Sequence, residues 1–221
     1  MTPPHPTRPL GRRAALLLAA GPLAACSVLP DRPYQEVQRF ALAPERPQRA
    51  TAPRNAPVLL VRTLRAAPGM DVRGLRLVGA DGQVSTGYWQ EWAAPPAELA
   101  EEALRRWLAA SGRFSAVTLP GSRLRANYVL EGELIRLQAE PAAGLGRAAL
   151  SVLLLTEPQA GGDARILGQF VAEGSAPIPG GGPRPDGTPE AAAAAAAMSA
   201  ALAEALAQVE RNLVRLLPAR R

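Results

Sequence analysis

The segment Leu23-Ala24-Ala25-Cys26 constrains this chain most, because it divides a leader from everything that has to fold. Ahead of it stand Arg12-Arg13 and the apolar run Ala14-Ala15-Leu16-Leu17-Leu18-Ala19-Ala20. A basic start, a short apolar run and small residues before a cut make a secretory signal. The run is well short of the roughly 20 apolar residues that cross a bilayer. Residues 1–25 therefore read as a signal peptide, and the fold is expected to begin beyond Cys26.

The ending resembles the bacterial lipobox, and Cys26 is the only cysteine in the chain. That resemblance implies a diacylglyceryl group on Cys26, cleavage before it and acylation of the new amine, so that acyl chains alone would hold the protein to a membrane. Ser27 follows the cysteine. Aspartate in that place is the usual inner-membrane retention signal in related systems, so the expected address is the outer membrane, periplasmic face. Arg12-Arg13 fits either general secretory or twin-arginine export. Residues 26–33, with Pro30 and Pro33, form a tether.

Loss of the leader removes much chemistry. The only histidine, His5, leaves with it, and the chain contains no lysine. The mature chain thus has no imidazole, no lysine amine and no free thiol. Cys/His zinc sites lack their ligands, Ser-His-Asp and Cys-His nucleophiles lack their base, and Gly180-Gly181-Gly182-Pro183 has no following lysine to complete a phosphate loop. No enzymatic activity and no cofactor are expected. The whole chain carries +6. Without Arg8, Arg12 and Arg13, and with no acid lost, about +3 remains, too little to indicate nucleic acid.

One α+β domain is expected over residues 34–221, a mostly antiparallel sheet with two main helices packed on one face. Residues 35–43 suggest a first strand, and Pro44–Pro57 a loop. Val58-Leu59-Leu60-Val61 reads as a central strand buried on both faces. Leu75–Gly79 and Gln83–Trp89 flank Ala80-Asp81-Gly82, and Asp-Gly is a strong hairpin signal. Pro95-Pro96 opens a helix with an apolar stripe at Ala100, Ala103, Leu104, Trp107 and Leu108. Glu101/Arg105 and Glu102/Arg106 are favourable i,i+4 pairs, and Gly112 supplies a stop. A short strand is expected over Phe114–Leu119. Tyr128–Leu137, Ala148–Thr156 and Arg165–Glu173 read as a meander. Residues 174–189, rich in Gly and Pro, read as a mobile loop. The last helix is expected to have Thr188 as N-cap and Pro189 at its first position, with Met198, Leu202, Leu206, Val209, Leu213 and Leu216 on one side. Packing on the sheet is the expected role of that side, with a coiled-coil seam the alternative.

In this arrangement the chain resembles the ABC-type transport auxiliary lipoproteins, which include the paraquat-inducible protein C group. The resemblance rests on Cys26, the strand after Tyr34, Val58–Val61 followed by Pro68-Gly69-Met70 and Arg76-Leu77-Val78, and above all Gly87-Tyr88-Trp89-Gln90-Glu91-Trp92-Ala93-Ala94-Pro95-Pro96 leading into a helix. Ser111-Gly112-Arg113-Phe114 and Tyr128-Val129-Leu130-Glu131-Gly132 add to it. It implies a non-catalytic docking or adaptor subunit of a mammalian-cell-entry-type lipid transport system, whose partner is the periplasmic lipid-carrying protein. A structural or assembly role in another envelope complex is the alternative. A symmetric partner would suit a homo-oligomeric ring.

Two groups of side chains are candidate sites. Tyr88, Trp89, Trp92, Pro95 and Pro96 form the candidate partner-binding segment, since aromatics are favoured in interfaces. Trp92 is also expected to serve the core, and one of Tyr88 and Trp89 should face outward if the strand alternates. Glu131 and Glu133 would stand about 7 Å apart on one strand face, a spacing that overlaps inverting glycosidases. Solvated acids are the plainer reading of that pair.

Overall fold

The computed structural model describes residues 34–157, 162–180 and 189–217. The chain divides into two compact units, Met1–Gln35 and Glu36–Arg221, and the fold is that of the second. Cys26, the tether and the expected N-cap Thr188 lie outside the described residues.

The elements in order are β1 (Gln38–Phe40), β2 (Val58–Val61), β3 (Arg65–Ala66), β4 (Gly74–Val78), β5 (Val84–Trp92), α1 (Pro96–Ala109), β6 (Ala116–Thr118), β7 (Tyr128–Glu140), β8 (Leu145–Thr156), β9 (Ile166–Pro177) and α2 (Ala191–Leu216). This is the expected α+β arrangement. The three long strands β7, β8 and β9 form the antiparallel meander expected of three strand segments in series. The opposite edge of β7 is shared in turn by β2, β3 and β4, all parallel to it. β2 carries β6, and β4 carries β5 and then β1. The sheet is therefore antiparallel along its long strands and mixed at its short ones.

Packing explains the pattern along β7. Leu130 and Leu134 are fully buried, as are Leu137 and Ala139 further on. The side facing the helices changes from even to odd positions because Ile135 is an extra residue, a bulge between Leu134 and Arg136. Val58–Val61 is internal to the sheet, between β6 and β7. Only Leu59 and Val61 are fully buried, with Val58 and Leu60 half-exposed. The expectation of burial on both faces is thus corrected: one face is covered by helix and the other is open.

α1 begins with Pro96 at its first position and carries the two expected ion pairs, Glu101–Arg105 at 3.7 Å and Glu102–Arg106 at 3.6 Å. Gly112, at φ +69°, lies beyond its end. α2 starts at Ala191 after Glu190, two residues later than the Thr188/Pro189 pair suggested. Its alanines have a packing function. A Cβ on Gly174 would sit 2.0 Å from the Ala201 carbonyl oxygen, and one on Gly146 2.5 Å from the Ala197 carbonyl carbon. Helix and sheet therefore approach to backbone contact, which only Gly against Ala permits. Residues 174–177, expected in a loop, belong to β9, because they pair with residues 145–148 of β8. α2 is also long and apolar enough to cross a membrane by length and composition, with a mean hydropathy of 1.4. More than half of that window is buried inside the domain, so its apolar side serves the core.

Candidate docking site

The segment from Val84 to Pro96 is set by a hairpin and a large bulge. Gly79 N–H donates to the Gln83 carbonyl at 2.9 Å, Asp81 Oδ1 accepts from the Gln83 amide at 2.9 Å, and Gly82 takes φ +78°, as the Asp-Gly signal requires. Beyond it Arg76 pairs with Thr86, but Gly74 pairs with Glu91. Four residues of β5, 87–90, thus stand opposite Leu75 alone. The excess loops outward and closes on itself: a Cβ on Gly87 would meet the Gln90 carbonyl oxygen at 2.7 Å, and one on Gly74 would meet the Gly87 carbonyl oxygen at 2.4 Å.

This bulge cancels the alternation on which the expectation for Tyr88 and Trp89 rested. Both face outward, Tyr88 80% exposed and Trp89 37%. Their rings meet edge to face, with centroids 4.7 Å apart and planes at 81°. Trp92, three residues on, is 1% exposed. Its amide donates to the Arg73 carbonyl at 2.7 Å, and Arg73 donates back to the carbonyls of Trp92 and Ala93. Glu91 is held by Arg39 at 2.8 Å and Arg73 at 3.3 Å. Of the five candidate residues, Trp92 and Pro96 are buried and Pro95 is half-buried. They support the base of the bulge; contact with a partner is open to Tyr88 and Trp89. The assignment of Trp92 and Pro96 as contact residues is corrected accordingly, because buried side chains have no free surface to offer a partner.

Glu131 and Glu133 stand on the open face of β7, as expected. Each is paired: Arg62 lies 2.5 Å from Glu131 and Arg65 lies 3.4 Å from Glu133. With Ser151 and Gln169 they border a shallow cleft of about 400 Å³.

A third cluster has no counterpart in the sequence reading. Residues 43–50 cross the two helices. The Ala43 amide donates to Ser199 Oγ of α2 at 3.4 Å, and the Ala50 amide to the Ala110 carbonyl at the end of α1 at 2.9 Å. Between them Arg46 forms a bidentate pair with Glu210 of α2 and lies over the Trp107 ring of α1, 5.2 Å from its centroid. Trp107 Nε1–H donates to the same carboxylate at 3.0 Å. The signal available in advance was Trp107 itself, since a buried indole needs an acceptor. The acceptor it finds, Glu210, lies 103 residues away in the chain.

No family model matches this chain, and no curated protein matches it. Solved structures do. A Xanthomonas campestris protein assigned to the DUF330 family aligns with a TM-score of 0.62 and 21% identity, over 81% of this chain and 96% of that one. An uncharacterised protein aligns with a TM-score of 0.53 and 16% identity, over 81% and 97%. At these identities the likeness is one of fold, and this chain has the fold of the DUF330 structure.

Proposed function

We propose that the protein is an envelope lipoprotein, anchored through Cys26 to the outer membrane and facing the periplasm, that serves as a docking subunit of a mammalian-cell-entry-type lipid transport system. The observation that carries the docking role is the bulge of β5, which presents Tyr88 and Trp89 together on a rigid base. Large aromatics with few rotatable bonds are favoured as binding anchors, and a preorganised support limits the ordering cost. The partner is the periplasmic lipid-carrying protein, and the lipoprotein acts by binding without turnover of its own.

The test is Tyr88→Ala and Trp89→Ala in the full-length lipoprotein, with partner binding measured in detergent-solubilised envelopes. Folding should survive, because both rings lie outside the core. Binding should weaken by about 2 kcal/mol or more for a hot-spot residue. Unchanged binding in both folded variants would remove the bulge from the interface. The anchor has its own test. Cys26→Ala should release the protein or leave it unprocessed, since several acyl chains hold firmly where one binds reversibly. A processed, tightly bound Cys26→Ala protein refutes the anchor, and co-fractionation with inner-membrane markers refutes the outer-membrane address.

A further inference from the structure

We propose that the cleft between the strap of residues 43–50 and the C-terminal half of α2 binds an amphiphilic phosphate, with Arg211 and Arg215 gripping the oxyanion. The cleft has a volume of about 480 Å³. Arg211 and Arg215 sit four residues apart on α2 and both line it. Like charges at that spacing repel along a helix, and no ion pair or hydrogen bond of either side chain is found among the described residues. Glu210 is the only acid among the described residues of the lining, and it does not relieve them: both of its oxygens are occupied by Arg46 and by Trp107 Nε1–H. A phosphate between the two guanidiniums would accept charge-assisted, bidentate hydrogen bonds and remove the repulsion.

The rest of the lining selects the ligand. Val214, on the turn between the two arginines, is 41% exposed, and Ala207 adds apolar surface to the same cavity. An anion with hydrocarbon beside its charge fits these walls better than a bare one, because removing apolar surface from water is favourable. The wall opposite is stiff, since Arg46, Trp107 and Glu210 hold one another. The inference uses none of the residues of the docking bulge and does not depend on that reading. A phospholipid headgroup and a soluble phosphate ester share the chemistry, and the experiment separates them.

Trp107 Nε1–H is the probe, because its acceptor Glu210 adjoins Arg211. The full-length ¹⁵N-labelled lipoprotein in a neutral maltoside detergent is titrated with dihexanoyl phosphatidylglycerol and, separately, with glycerol 3-phosphate. The indole signal is assigned by its loss in Trp107→Phe. The expected result is a saturable shift with the lipid, at least tenfold weaker in the R211Q/R215Q double variant, at an unchanged melting temperature. Equally tight saturation by glycerol 3-phosphate keeps the anion site and overturns the lipid. No shift with either compound, or the same shift in the double variant, overturns the site. A melting temperature that falls in step with binding overturns it too, since Arg215 would then be serving the negative end of the α2 dipole.

Discussion

At the scale of single residues, the backbone contact between α2 and the sheet depends on one missing atom. At Gly174 the Cβ of alanine would overlap backbone on the helix, 2.0 Å from the Ala201 carbonyl and 2.7 Å from the Ala205 amide. Neither is the end of a flexible side chain, so strand and helix must separate. Gly174→Ala should cost about 3 kcal/mol, at the upper end of overpacking, read as a lowered urea midpoint. Gly82→Ala is the comparison. Nothing lies within 4 Å of its Cβ, and the positive φ alone opposes it; about 1 kcal/mol is expected. Equal effects of the two changes would mean that the close approach of α2 is not what Gly174 provides.

At the scale of elements, α2 does more than fill the core. Among the described residues β9 pairs only with β8, which leaves its other edge without a strand. The Glu173 amide donates to Gln208 Oε1 at 2.7 Å, and the Ser175 amide to Glu204 Oε2 at 2.8 Å. The polar stripe of α2 thereby closes part of an edge that would otherwise invite another strand. Glu204→Ala with Gln208→Ala should accelerate hydrogen exchange at Glu173 and Ser175 while leaving the β7–β8 amides protected. It should cost about 1 kcal/mol per lost bond. Unchanged exchange at both amides would show that these side chains do not guard the edge. The alanines of the same helix divide by face: Ala201 is fully buried and Ala200 exposed. Ala201→Leu should therefore be destabilising by about 2 kcal/mol or more, and Ala200→Leu close to neutral.

At the scale of the whole molecule, the strap joins elements far apart in the chain. Arg46 and Glu210 are separated by 164 residues, Trp107 and Glu210 by 103. Each ionised side chain of the pair is 18% exposed. Removing one partner leaves the other charge desolvated, so Glu210→Ala should destabilise by about 2 kcal/mol, and it also strips the indole of its acceptor. Arg46→Ala with Glu210→Ala should lose less than the sum of the single changes, a coupling that a double-mutant cycle measures directly. Additive losses would reduce the strap to two independent contacts.

What the amino-acid order determined by itself is local. The hairpin at Asp81-Gly82 follows from turn chemistry, α1 from Pro95-Pro96 and an apolar stripe, and the meander from three strand-type segments in series. Each rests on interactions within a few residues, or on one face that must be dry. The tertiary structure decided what depends on distant partners. Both Tyr88 and Trp89 are exposed because β4 is too short to match β5, which forces residues 87–90 outward; alternation read along β5 alone cannot foresee it. Residues 174–177 are strand because they continue the ladder with residues 145–148 of β8, and in isolation such a stretch looks like a loop. The ion pair of Arg46 with Glu210 exists only where the strap crosses both helices. No spacing in the chain encodes it, because sequence separation carries no information about which distant charges packing brings within a hydrogen bond.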